Sequence, residues 1–186
     1  MSNFFKVKKK IKSFDKIISV DGDKSLSIRW VLISSLAAGI SEAKNLLMSE
    51  DVLASIKVIK KLGIKVKLNS KLCKIYGKGI GGYKYKKNLT LNAENSGTLG
   101  RLILGLIVNS PNVIKLTGDK SLSKRDFKRV TDPLSKFGTN FRLKNNNGLP
   151  LEIRGKKDLK PIFYKENRGS AQCKSSVIFA GMRANG

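Results

Sequence analysis

The sequence predicts an α/β protein assembled from repeated strand–helix units, the class in which sheets are covered by helices. Three observations carry that prediction. The octapeptide GDKSLSIR at residues 22–29 returns almost unchanged as GDKSLSKR at residues 118–125. Each copy follows a short β-prone stretch and precedes a helical pattern, so strands and helices alternate in comparable rounds. The chain has 186 residues, 40% of them hydrophobic, enough for one large domain or most of one.

In the first round, residues 15–20 read as a strand leading into GDKSLSIR. Trp30, Val31, Leu32, Leu36 and Ala37 continue as an apolar helix, with Gly39 as its left-handed cap. In SEDVLASIKVIKKLGI, Ser49 is the expected N-cap, Glu50 and Asp51 suit the first turn, and Gly63 closes the helix. Val52, Ile56, Ile59 and Leu62 form its buried stripe; Lys57, Lys60 and Lys61 lie off it. Residues 64–68 alternate apolar and Lys, and residues 72–76 answer them across a turn at Asn69 and Ser70.

The second round repeats this plan. Leu89 and Leu91 mark a strand, ENSGTLGR a small-residue loop, residues 102–108 an apolar helix, and residues 113–116 a strand ending at GDKSLSKR. Ser123 and Asp126 have capping-box spacing. The helix they open is expected to bury Phe127, Val130, Leu134 and Phe137, to kink at Pro133 and to stop at Gly138. Residues 141–143 and 151–153 make a hairpin. A third round opens with ENRGSAQCKSSVIFAGM from residue 166, and its absent closing strand is expected to reflect truncation.

Composition excludes several classes. There is no histidine, and the two cysteines, Cys73 and Cys173, are far apart. A His-dependent triad is therefore impossible, and no zinc site or other metal site is expected. No apolar run is long enough to cross a bilayer, and the basic start MSNFFKVKKKIKSF lacks the apolar core of a secretory signal. A reducing cytoplasm suits the chain. The formal charge of +25 raises nucleic-acid binding, but Lys is spread along the whole chain and aromatics are scarce among the basic residues. Compositional bias accounts for it better, and the net charge should still attract small anions.

Three loops, GDKSLSIR, ENSGTLGR and GSAQCK, each precede an apolar helix. The first turn of a helix presents unpaired N–H groups and a partial positive charge, which favour an anion. Ser96, Gly97 and Ser170 let a ligand approach the backbone; Lys24, Arg29, Arg101, Arg125 and Lys174 add charge. Plainer readings stand beside this one. Ser25, Ser27 and Ser123 would serve equally well as helix caps, Asn95, Gly97 and Thr98 as a turn, and Gly105 as a close-packing position. Cys73 is expected to be buried on a strand, and Cys173 has no base beside it to activate it.

These motifs, in this order, resemble those of the 5-enolpyruvylshikimate-3-phosphate synthase family, across about residues 17–186. GDKSLSIR is similar to its GDKS-x-S-x-R motif, and SEDVLASIKVIKKLGI, NSGTLGR, GDKSLSKR and SAQCKSSVIFAGM to later ones. The resemblance implies an inside-out α/β barrel of βαβαββ units, three to each of two domains. Residues 17–186 would then be most of one domain with its third unit incomplete, residues 1–16 a basic strand or linker, and the second domain largely absent. It also implies transfer of the enolpyruvyl group of phosphoenolpyruvate to the 5-hydroxyl of shikimate 3-phosphate, with no cofactor, by a cytoplasmic enzyme that is a monomer at full length.

By the same resemblance, Lys24 is catalytic and contacts both substrates. Ser25 and Arg29 hold the shikimate moiety, Ser170 and Ala171 the substrate phosphate (Ala171 through its N–H), and Gln172 reaches both substrates. Gly97 and Arg125 bind phosphoenolpyruvate, and a larger side chain at position 97 should crowd the inhibitor glyphosate. Ile28 stands where the family usually has His, and Asp126 and Phe127 replace its common Pro-Met; neither change removes a ligand. The missing half supplies the acid–base carboxylate, so the chain alone is expected to have no turnover. The alternatives are the sister transferase acting on UDP-N-acetylglucosamine, whose motif has Asn where Ser25 stands here, and a basic nucleic-acid-binding protein.

Overall fold

A computed structural model describes residues 6, 8–10, 13, 15–70, 72–144, 147–167 and 169–186. The basic segment assigned to residues 1–16 falls largely outside the described residues, as does Arg168 of the third loop.

The first unit contains α1 (Lys24–Leu36), β1 (Ala38–Lys44), α2 (Glu50–Lys61), β2 (Lys65–Leu68) and β3 (Leu72–Lys78). Its sheet is antiparallel in the order β1-β3-β2. The second unit contains β4 (Leu89–Asn92), α3 (Gly97–Ile107), β5 (Ile114–Thr117), α4 (Lys128–Ser135), β6 (Asn140–Lys144) and β7 (Gly148–Arg154). This is a full βαβαββ unit. Its sheet has the order β4-β5-β7-β6, with β4 parallel to β5 and the remaining pairs antiparallel. The β5-β7-β6 arrangement reproduces β1-β3-β2, so the two units share one topology. The third round begins with α5 (Ala171–Gly181).

One hydrophobic core runs through both units and takes in every sheet and helix. At its centre lies α3, in which every residue except Arg101 is buried. The α2 stripe is as expected, with Val52, Ile56, Ile59 and Leu62 all buried, and Gly63 follows in the left-handed region at φ 87°.

Several expectations fail for identifiable reasons. Residues 15–20 form no strand: they are exposed along their length, and among the described residues Val20 is held by a side-chain bond from Asn45 Nδ2 to its carbonyl (3.1 Å). They occupy the chain position that β4 holds in the second unit, but no ladder with β1 forms. Gly39 does not cap α1. The helix ends at Leu36, because Ala37 turns extended (φ −66°, ψ 147°), and Gly39 sits inside β1. That strand was not anticipated; seven residue pairs with β3, from Ala38–Lys78 to Lys44–Leu72, hold it, and such non-local pairing outweighs a local cap signal. The α3 helix begins inside ENSGTLGR, at Gly97 rather than at residue 102.

The second octapeptide opens only a short 3₁₀ turn, Leu122–Lys124, and α4 starts later, at Lys128. The capping box is absent: Ser123 Oγ donates to the Gly118 carbonyl (3.2 Å), while Asp126 Oδ1 accepts from Lys128 N (2.8 Å). α4 passes through Pro133 and ends at Ser135. Proline has no N–H to offer the carbonyl four residues back, that of Arg129. The Cys173 thiol of α5 donates to that carbonyl instead (3.3 Å), which gives this buried cysteine a packing role.

Candidate functional site

The site grows from helix starts. Asp23 caps α1, its Oδ1 accepting from Leu26 N (2.7 Å). Ser96 caps α3, its Oγ accepting from Leu99 N (3.3 Å). Ser170 caps α5 in the same way, accepting from Cys173 N (3.3 Å). In each case the cap satisfies one first-turn amide, while the amides before it head the helix. Ser25, Ser27 and Ser123 therefore do not have the capping role that the sequence left open; Ser27 Oγ instead accepts from Leu47 N (3.2 Å).

An arginine-centred cluster joins α3, the second octapeptide and α5. Arg101 Nη1 donates to the Gly97 carbonyl (3.4 Å) and to Gln172 Oε1 (3.0 Å), and Nη2 donates to the Asp126 carbonyl (3.2 Å). Its guanidinium lies 5.3 Å from the centroid of the Phe127 ring, within cation–π range. Burial, opposed by Cys173 and Asp126 and helped by the nearby charges of Arg129 and Arg125, pulls Arg101 below the ordinary arginine value. Gln172 Nε2 donates in turn to Thr98 Oγ1 (3.0 Å). Arg125 closes the group: its Nη1 lies 2.9 Å, and that of Arg101 3.0 Å, from where a Cβ on Gly97 would stand. Three predicted residues, Gly97, Arg125 and Gln172, thus meet in one place, lined with guanidinium groups and suited to a phosphate or carboxylate.

Arg29 also reaches α5. Its Nη1 donates to the Ser25 carbonyl (3.2 Å) and its Nη2 to Ser175 Oγ (3.4 Å). Ser175 Oγ donates to the Ala171 carbonyl (2.8 Å), so Arg29 is held beside the first turn of α5, where Ser170, Ala171 and Gln172 lie.

Lys24 stands apart from the arginines. Its Nζ is 3.2 Å from Asp51 Oδ2, at the edge of a cavity of about 610 Å³ that is also walled by Ser49, Glu94, Asn95 and Asp119. Three of the acidic groups that line it, Asp51, Glu94 and Asp119, are already engaged. Glu94 pairs with Lys57 (2.9 Å), and Asp119 accepts from Asn95 Nδ2 (2.6 Å) and Leu122 N (2.6 Å). Both octapeptides border this cavity, the first through Lys24 and the second through Asp119. The sequence marks Arg101 only as a loop cation, Asp51 only as a first-turn residue and Thr98 only as part of a turn, and shows neither the Lys24–Asp51 pair nor the Gln172–Thr98 bond. One signal was available: Arg101 is the only charged residue in the apolar stretch that follows NSGT.

The fold and this arrangement of helix starts flanked by arginines are those of an enolpyruvyl transferase architecture. The sequence model of EPSP synthase (3-phosphoshikimate 1-carboxyvinyltransferase) matches residues 8–186, and the chain belongs to that family. A 3-phosphoshikimate 1-carboxyvinyltransferase of Desulforamulus reducens is 45% identical over 172 residues, which cover 91% of this chain and 39% of the relative. One from Streptococcus suis is 40% identical over 182 residues, covering 97% of this chain and 42% of the relative. The solved EPSP synthase of Acinetobacter baumannii aligns with a TM-score of 0.85 at 33% identity, covering 91% of this chain and 38% of that one. The chain therefore spans about two fifths of the length of the relatives it matches. No described helix is long and apolar enough to cross a membrane.

Proposed function

We infer that this chain carries the substrate-gathering part of a 3-phosphoshikimate 1-carboxyvinyltransferase. That enzyme moves the enolpyruvyl group of phosphoenolpyruvate to the 5-hydroxyl of shikimate 3-phosphate and releases phosphate. The observation that supports this best is the meeting of Gly97, Arg125 and Gln172 around Arg101. In this reading Gly97 and Arg125 receive phosphoenolpyruvate, Gln172 touches both substrates, and Ser170 and the Ala171 N–H bind the shikimate phosphate. Ser25 and Arg29 hold the shikimate moiety. Lys24, exchanging Asp51 for a substrate anion, is the catalytic cation: fixed positive charge placed beforehand stabilises the anionic groups as an oxocarbenium-like centre develops.

Residues 17–186 form most of one domain in this reading, with the acid–base carboxylate in a second domain. The full-length enzyme is a cytoplasmic monomer that needs no cofactor and binds no specific nucleic acid. The chain by itself binds substrate without turnover.

Calorimetric titration of shikimate 3-phosphate into the purified chain at physiological salt tests this, with Arg29→Ala as control. Saturable binding that the variant loses is expected. A chain that is folded by circular dichroism yet indifferent to this ligand would overturn the reading.

A further inference from the structure

The geometry points to Arg101 as a positioning residue that sets the orientation of the Gln172 side-chain amide and locks it between α3 and α5. This inference rests on the reading above, in which Gln172 meets the substrates.

A glutamine amide can be turned either way about its last bond, and its two ends have opposite chemistry. Arginine only donates, so the end that faces Arg101 Nη1 at 3.0 Å has to be Oε1. Nε2 then falls against Thr98 Oγ1 at 3.0 Å. With both ends held, the amide keeps one uncommitted N–H, the second on Nε2, to offer a ligand.

Arg101 is itself held on several sides. The Gly97 and Asp126 carbonyls accept from it, the Phe127 ring packs on its face, and the Arg101 carbonyl accepts from Ser176 Oγ of α5 (2.9 Å). A planar fork reaches acceptors in divergent directions, which the point charge of lysine cannot reproduce. The arginine therefore transmits the positions of the Gly97 turn and the Arg125–Asp126 turn to Gln172. In the proposed arrangement the assigned substrate contacts are those of Gly97, Arg125 and Gln172, and Arg101 acts through the last of them.

The test observes Gln172 directly. In a ¹⁵N-labelled chain, the side-chain amide pair that disappears in Gln172→Ala is followed for chemical shift and hydrogen exchange. In the wild type this pair is expected to be slowed in exchange; exchange at the rate of a free amide would overturn the inference without any change at position 101. In Arg101→Lys, with an unchanged circular dichroism spectrum, the pair is expected to move toward the free-amide position. Shikimate 3-phosphate affinity should then fall about tenfold, as loss of a charge-assisted bond implies.

Because Arg101 acts through Gln172, Arg101→Lys combined with Gln172→Ala should bind no more weakly than Gln172→Ala alone. Losses that multiply, or a Gln172 amide unmoved by Arg101→Lys, would refute the positioning role. A wild-type chain that binds no shikimate 3-phosphate would sink the functional reading alone, and the Gln172 resonances would still decide the role of Arg101.

Discussion

Replacing Gly105 by Ala tests how closely the two helices that carry the site approach each other. A Cβ at position 105 would lie 2.8 Å from the Ser176 carbonyl carbon and 3.0 Å from its Cα, with the carbonyl oxygen nearer still. Ordinary contact begins near 3.4 Å, so α3 and α5 would have to part by at least about 0.6 Å, and backbone cannot swing aside as a side-chain end can. Two opposed effects decide the sign. Ala in place of a helix-interior Gly gains about 1 kcal/mol. Overpacking against rigid backbone costs about 1–3 kcal/mol, and loss of the bond from Ser176 Oγ to the Arg101 carbonyl would add about 1 kcal/mol.

Sterics win, with a net loss of about 2 kcal/mol, or roughly 4–8 °C in melting midpoint for a chain of this size. Thermal melting by circular dichroism reads this directly. Gly181→Ala is the control: it lies at the end of α5 with nothing within 4 Å of a new Cβ, so it should leave the midpoint unchanged or raise it. If Gly105→Ala melts as high as Gly181→Ala, the helices do not approach as described, and the packing behind the Arg101–Gln172 bond has been misread.

Three further outcomes are expected. In Gly97→Ala the new methyl crowds the flexible ends of Arg125 and Arg101 and makes ordinary contact with Leu122 Cδ1 (3.8 Å); the melting point should hold within a few degrees while calorimetry shows weaker phosphoenolpyruvate binding. Tyr83 is pushed up to about 12 by burial, opposed by its hydrogen bond to Ser35 and the charge of Arg183. The folded state thus favours the protonated phenol, so the stability it contributes is complete below about pH 10, the ordinary tyrosine value, and is lost as pH rises toward 12. Tyr83→Phe should remove that part of the slope in alkaline denaturation, and equal slopes would refute it. Cys73 and Cys173 are 1% and 2% exposed, and burial raises the Cys73 thiol; both should react with a thiol reagent only at the rate of unfolding, and prompt labelling of either would contradict its placement.

What could be read from the sequence was whatever local chemistry announces. Ser49, the acidic first turn and Gly63 bracket α2 almost to the residue, although the Ser49 side chain makes no capping bond, and the hairpin expected at residues 141–143 and 151–153 is the β6–β7 pair. The strand β1 was invisible for the opposite reason. AGISEAK has no strong β pattern, and only pairing with β3, some thirty residues later, makes it a strand. The site was legible as a set of loops but not as a set of contacts. Gly97, Arg125 and Gln172 were marked by motif, whereas Arg101 acquires its importance from Gln172 and Asp126, which only the tertiary fold brings to it.

The repeated octapeptide shows where local instruction ends. In both copies the Asp side chain accepts from the amide three residues on, at 2.7 Å for Asp23 and 2.6 Å for Asp119. In both, its carbonyl also accepts from the Ser amide four residues on, at 2.9 Å. One turn is therefore the same, and the copies part immediately after it. Behind the first, Ile28, Val31 and Leu32 are fully buried, so extending the helix is what buries apolar surface. Behind the second, Asp126 takes the Lys128 amide and Phe127 N donates to the Asn147 carbonyl (2.8 Å), bonds that a continuing helix could not make. Arg125 is left extended (φ −77°, ψ 147°), and that break in the helix lets its guanidinium reach the Gly97 turn. Identical caps followed by different neighbours thus deliver one cation, Lys24, from the start of a helix and the other, Arg125, from the end of a turn.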